Sequence, residues 1–282
     1  MARNNQRRTK TAPAPESPED SRPPAASVLD FITPTEFVDL PSGGRFYGED
    51  HPFYNQETVE IRYMTAKDED ILTNQTLLRK GLALERLLES TLSNNNVDPS
   101  TLLIGDRNAI IIAARSTGYG PRYQTSVNCP NCGEKIDYNF NLEEAEVYRG
   151  DSHGDKEITE TDNGTFLVEL PLTKVNVEMR LLTGKDETDA NTASRQKKNS
   201  ILENALTSQL RRVVVALNEE TDVEIINKFV ELMPAYDSRF LREAHAAVTP
   251  DVDMSQRFEC SSCEHEQKME VPFTVDFFWP NR

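Results

Sequence analysis

The residues of this 282-residue chain best suited to chemistry are its four cysteines, which occur only as two CxxC pairs. The first is Cys129-Pro130-Asn131-Cys132-Gly133 and the second is Cys260-Ser261-Ser262-Cys263-Glu264. A CxxC turn aims two thiolates at one point, and zinc takes four such ligands in a tetrahedron. Pro130 stiffens the first turn, and Gly133 lets the backbone reverse. Taken together, the pairs make a closed, structural Zn2+ site on Cys129, Cys132, Cys260 and Cys263, with no open position for catalysis. The 127 residues between Cys132 and Cys260 far exceed the roughly 15–20 of an ordinary zinc ribbon. Other arrangements therefore compete. Each pair could complete its own site, with His265 two residues beyond Cys263 and His153 a distant partner for the first pair. The two turns could pair between chains. The thiols could also be redox-active, although neither pair opens a helix that would stabilise a thiolate.

Other chemistry is thin. The four histidines, His51, His153, His245 and His265, form no HExxH or comparable motif. His245 falls on an expected helix and reads as a packing or surface residue. Gly43-Gly44 lacks the Lys-Ser/Thr of a phosphate loop. Asp68, Glu69 and Asp70 could hold a cation, but the Lys-Asp-Glu trio recurs at Lys185, Asp186 and Glu187, which favours helix capping. These residues point to a protein that is not an enzyme.

The charge balance narrows the partners. There are 47 acidic against 31 basic residues, for a formal net charge of -16, which opposes phosphate contact. Arg3, Arg7, Arg8 and Lys10 make a local basic arm. It reads as a solubilising tail or, alternatively, as the nucleic-acid contact of a zinc-ribbon adaptor. No stretch of about 18 apolar residues is present, so no membrane span is expected. Cysteines confined to CxxC pairs fit a reducing compartment.

The cysteines need elements to position them. Residues 1–28 read as a disordered Pro-rich tail. Turn residues Pro41 to Gly44 follow, and Val59, Ile61 and Tyr63 alternate as a strand. Thr65 caps a helix into Asp68, and Leu84, Leu87, Leu88 and Leu92 make a further amphipathic stretch. Asp106 caps a helix carrying Ile110, Ile111 and Ala114. Tyr123, Thr125 and Val127 lead into the first cysteine pair, and Ile136, Tyr138 and Phe140 lead out. Residues 143–164 read as an acidic flexible loop. Strands follow at Phe166–Leu170 and Val175–Met179. One long helix is expected from Ile201 to Leu217, then one ending at Pro234, then one capped by Ser238. Phe258 enters the second cysteine pair, and Met269, Val271, Phe273 and Val275 leave it as a strand.

The two halves share letters as well as pattern. Val59 to Glu69 aligns with Val177 to Glu187 at an offset of 118 residues, with seven of eleven positions identical. The cysteine pairs are offset by 131 (129 to 260), so about 13 residues are added within the second unit. The expected fold is α+β, mainly helical with short strands. Two related halves, 29–142 and 165–282, are joined by a zinc-ribbon-like four-cysteine element. The long gap between the knuckles then follows from the duplication.

Asp39-Leu40-Pro41-Ser42-Gly43-Gly44-Arg45-Phe46-Tyr47, followed by Tyr63-Met64-Thr65-Ala66-Lys67-Asp68-Glu69-Asp70-Ile71-Leu72, resembles the opening of the T4-type bacteriophage baseplate hub assembly proteins of contractile-tailed phages. Leu78 to Leu88 continues the likeness, which runs from about Phe31 to Cys132. The resemblance implies a non-enzymatic role, either in assembling the baseplate hub or as a hub component. Partners would be other phage hub and tail proteins, met in the host cytoplasm during assembly or in the virion tail. It supplies no catalytic residues.

Overall fold

The computed structural model describes residues 33–94, 96–196, 205–272 and 275–278. The tail expected over 1–28, the start of the helix expected from Ile201, and Phe273 lie outside them. Everything described from Pro34 onward belongs to one compact unit.

The first layer is an antiparallel pair, β1 (Thr35–Asp39) and β2 (Thr58–Arg62), in register Val38 opposite Val59. Alternation puts Val59 and Ile61 on the buried face. Helices α1 (Ala66–Thr73), α2 (Gln75–Lys80) and α3 (Ala83–Thr91) follow. Asn74 caps α2, and Gly81, at φ 75°, ends it in the left-handed conformation a Cβ would oppose. Leu87 and Leu88 of α3 are fully buried, each worth about 1.5–3 kcal/mol of burial. The long helix α4 (Ile104–Tyr119) runs through the core and leads into the hairpin β3 (Arg122–Asn128) and β4 (Lys135–Asn141).

The expected flexible loop 143–164 holds two short strands, β5 (Glu146–Tyr148) and β6 (Ile158–Glu160). Its sequence lacks apolar alternation because each strand is three residues long and pairs through backbone. β6 edges a four-stranded antiparallel sheet with β7 (Phe166–Glu169), β8 (Asn176–Met179) and β9 (Val214–Leu217). Helices α5 (Gly184–Gln196) and α6 (Ala205–Val213) separate β8 from β9. The helix expected to reach Leu217 therefore stops at Val213. The run Val213-Val214-Val215 is β-branched and disfavours helix, and Val214 and Leu217 pair with Met179 and Val177. Helices α7 (Val223–Leu232) and α8 (Ala235–Val248) follow, then β10 (Asp251–Asp253), which pairs with β5. The second hairpin is β11 (Ser255–Glu259) and β12 (Glu266–Glu270). Val275 is not strand but part of a 3-10 turn, Val275–Phe278. α8 starts after Pro234, so Ser238 sits inside its first turn rather than at its cap.

Eight α-helices and five small antiparallel sheets among the described residues make this a mixed α+β fold. Several local geometries occur twice. Arg62 holds Asp68 through both guanidinium ends, at 2.7 and 2.9 Å, while the Thr65 N–H and Oγ1 each donate to Asp68 Oδ2 at 2.8 Å. Arg180 holds Asp186 the same way, at 2.9 and 2.6 Å, with the Thr183 N–H and Oγ1 donating at 2.9 and 3.0 Å. In both places the arginine also donates to the carbonyl of the next residue. A strand thus turns into an acid-started helix by one device used twice.

Candidate metal centre

Each hairpin ends in a cysteine turn, and the turns have the same backbone. The Cys129 N–H donates to the Glu134 carbonyl and the Gly133 N–H to the Cys129 carbonyl, both at 2.8 Å. In the second hairpin the Cys260 N–H donates to the His265 carbonyl and the Glu264 N–H to the Cys260 carbonyl, both at 2.9 Å. Gly133 and Glu264 occupy the same place, with φ of 74° and 56°. Glycine adopts that conformation without strain; glutamate at φ > 0 does so against a steric cost.

The two turns meet. The four sulfurs lie within 4.8 Å of one another. Cys129 Sγ is 3.8 Å from Cys263 Sγ, and Cys132 Sγ is 3.8 Å from Cys260 Sγ, so the first cysteine of each turn faces the second cysteine of the other. A tetrahedron of sulfurs about 2.3 Å from a central zinc has edges of about 3.8 Å. All four thiols are free, and these separations are far beyond the roughly 2.05 Å of a disulfide. The four cysteines could therefore hold a tetrahedral metal, and the donor set suits zinc. Hydrogen bonds from the Asn131 side chain, at 3.6 Å, and from the His265 backbone hold the Cys263 thiol down to about 6. Cys129 and Cys260 are buried, Cys263 is half-buried and Cys132 is exposed.

The histidines stand elsewhere. The His265 ring lies against Gln267 Oε1 at 3.4 Å, and the His153 ring against the Gly150 carbonyl at 3.2 Å. Among the described residues the metal-capable cluster holds four cysteines and neither histidine. His245 is buried with Nε2 3.1 Å from the Arg180 carbonyl, a packing role.

The hairpins are also fastened without the thiols. The Gln256 side chain exchanges two hydrogen bonds with the Asn141 backbone, donating at 2.6 Å and accepting at 3.0 Å. Tyr138 donates its hydroxyl to the Arg257 carbonyl at 2.9 Å and packs its ring 5.1 Å from that of Phe258.

Two buried carboxylates have roles the sequence reading did not assign: Asp106 was read as a helix cap, and Asp237 was not singled out. Asp106 does not cap α4. It lies inside the first turn and accepts from the Ser42 N–H at 2.9 Å, Ser42 Oγ at 2.5 Å and the Tyr47 hydroxyl at 2.7 Å. Burial nevertheless raises its pKa above the usual carboxylate value, against the lowering effect of those bonds. Asp237 at the start of α8 accepts from the Leu172 and Thr173 N–H groups, each at 2.9 Å, and from Thr173 Oγ1 at 2.8 Å. In each case a Leu-Pro loop after a strand is pinned to a long helix. The signal was present: Asp106 and Asp237 are 131 apart, the offset of the cysteines.

The family model described as T4 bacteriophage base plate protein matches residues 33–279. The chain belongs to that family. No curated protein and no solved structure matches it. The baseplate match spans both hairpins, whereas the likeness legible in the letters was strong only to about Cys132 and weaker beyond it. No helix among the described residues is long and apolar enough to cross a membrane.

Proposed function

We propose that this baseplate protein acts in building the hub of a contractile phage tail, as an assembly factor or a hub component, through contacts with other tail proteins and without catalysis. The match to the baseplate family over residues 33–279 carries this reading. The disposition of the polar groups supports it: the buried carboxylates Asp68, Asp106 and Asp237 are each engaged by neighbouring donors that fix loops and helix starts.

In this reading the chain consists of two related halves, and one zinc on Cys129, Cys132, Cys260 and Cys263 fastens them. The metal's contribution is structural, since four thiolates leave no ligand position for substrate. The reciprocal sulfur pairing and the paired Arg–Asp–Thr corners support the duplication.

Co-expression of the full chain with the phage's other tail proteins, followed by affinity purification, tests the role. A stable complex with hub proteins is expected. Its presence in purified virions makes it a component, and its loss makes it an assembly factor. Absence of any complex with tail proteins overturns the proposal.

A further inference from the structure

We infer that this chain associates head to tail with a second copy of itself. The segment Met233-Pro234-Ala235, which starts α8 in one copy, pairs with the corner Met64-Thr65-Ala66, which starts α1, in the next. The inference rests on the reading of two related halves above and names the partner that their unequal contacts leave open.

One contact of this kind is already made inside the chain. The segment Leu102-Leu103-Ile104 entering α4 lies antiparallel to the corner Leu182-Thr183-Gly184 entering α5, bridged at Leu103 and Thr183. The Ile104 N–H donates to the Leu182 carbonyl at 3.1 Å, and the Gly184 N–H to the Leu102 carbonyl at 2.8 Å. At the 131-residue offset of the cysteines, Leu102–Ile104 corresponds to Met233–Ala235. At the 118-residue offset of the strand-to-helix corners, Leu182–Gly184 corresponds to Met64–Ala66. The corresponding contact is not closed within the chain. Among the described residues the Met64 and Met233 carbonyls and the Ala66 and Ala235 N–H groups make no hydrogen bond, and Ala66 and Ala235 are exposed.

Both surfaces are nonetheless shaped for it. Leu103 has φ −60° and ψ 145°, and Pro234 has φ −56° and ψ 142°. Asp68 holds the Thr65 N–H and hydroxyl as Asp186 holds those of Thr183. The bridge uses the N–H groups of Ile104 and Gly184 rather than those of the central residues. Pro234, which has no N–H, can therefore stand where Leu103 stands. Groups already fixed in the paired conformation lose little freedom on binding. The occupant is thus read from the chain itself, which carries a free counterpart of the segment that fills the other corner.

An aromatic side chain adjoins the pairing groups. Tyr236, next to Ala235, is 66% exposed. Beside the corner lies a cleft of about 130 Å3 lined by Met64, Thr65, Ala66, Glu69, Gly118 and Tyr119. An exposed tyrosine that can enter a cleft is a strong interface anchor. Tyr236 also accounts for the contact staying open within the chain. Its counterpart is Gly105, where a Cβ would lie 2.0 Å from the Pro250 carbonyl oxygen. A tyrosine cannot approach the matching Tyr119 that closely while the hairpins tie the halves together. A separate copy is free to turn about the bridge and lay the ring in the cleft.

The test is sedimentation of the purified full chain at rising concentration. The chain is expected to associate beyond a dimer, since each head-to-tail pair still presents one free segment and one free corner. Ala66→Pro and Ala235→Pro each remove one pairing N–H at the first position of a helix, where proline is tolerated. Each is expected to leave the melting temperature unchanged and to weaken association about tenfold or more. Mixed together, the two variants are expected to form a dimer that neither forms alone, because the intact segment of Ala66→Pro meets the intact corner of Ala235→Pro. A photo-crosslinking amino acid in place of Tyr236, in a mixture of isotope-labelled and unlabelled chains, is expected to join the Gly118-Tyr119 region of a different copy. A chain that stays monomeric, variants that associate undiminished, or crosslinks confined to one copy overturn the inference. Metal analysis separates the failures: a monomer with one zinc on the four cysteines leaves the reading of two related halves standing, and a monomer with none overturns both.

Discussion

Asp68, Asp106 and Asp237 are fully buried, and what surrounds each decides how it responds to pH and to substitution. At Asp68 burial opposes the charge, but hydrogen bonds from Arg62, Ser90 and Thr65 outweigh it and hold the pKa below the usual carboxylate value. Asp186 is lowered in the same manner by Arg180 and Thr183. An unfolded aspartate titrates near ~3.9, so the stability these groups contribute is complete above about pH 4 and is lost as pH falls through the folded value. The gap in unfolding free energy between the natural chain and Asp68→Asn, measured by urea denaturation, is expected to be constant near neutrality and to narrow below about pH 4. A gap unchanged at low pH would mean that Asp68 contributes no charge-dependent stability. Asp106 offers a different test: Asp106→Ala leaves Ser42 and Tyr47 hydroxyls buried without their acceptor. Each such orphan costs about 1–3 kcal/mol, and chemical denaturation is expected to read a loss of about 3 kcal/mol or more. The Asp68 role was legible in the sequence because Thr65 and Asp68 stand at cap spacing. The Asp106 role was not, because a carboxylate in a first turn has the same letters whether it serves its own helix or reaches a loop 64 residues away.

Among the elements, periodicity located most helices and both hairpins, and it failed where tertiary pairing competed with it. Residues Leu210 to Leu217 carry a helical apolar spacing, yet Val214–Leu217 is a strand because β8 presents an edge to β-branched residues. No property of the segment alone announces that edge. The close approach of α4 to the chain entering β10 was equally silent. A Cβ on Gly105 would lie 2.0 Å from the Pro250 carbonyl oxygen, whereas one on Gly48 would meet nothing within 4 Å. Backbone cannot yield as a flexible side chain does, so Gly105→Ala is expected to destabilise the chain by about 2–3 kcal/mol. Gly48→Ala is expected to leave the denaturation midpoint essentially unchanged. Equal midpoints for the two variants would show that α4 can move away from Pro250 freely.

For the whole molecule, the CxxC letters named the four sulfurs, but their convergence across 127 intervening residues could not be read from spacing, which far exceeds that of an ordinary ribbon. Where the hairpins meet, two kinds of fastening coexist. One is the sulfur cluster at the turns; the other is the Gln256–Asn141 exchange and the Tyr138 contacts nearer the hairpin bases. If zinc holds the cluster, its binding free energy is coupled to the folded arrangement of both turns. Metal analysis of the purified chain is expected to give about one zinc per chain, and Cys260→Ser, at a buried ligand, to lower the melting temperature of the whole unit. Chelation is expected to act unevenly. Hydrogen exchange should rise first at the Gly133 and Glu264 amides, which donate to cysteine carbonyls within the turns. The Asn141 amide, held by Gln256, should stay protected longer, because that bond does not pass through sulfur. Two zincs per chain, or simultaneous loss of protection at Gly133, Glu264 and Asn141, would count against a shared site that closes the turns over an independently fastened base.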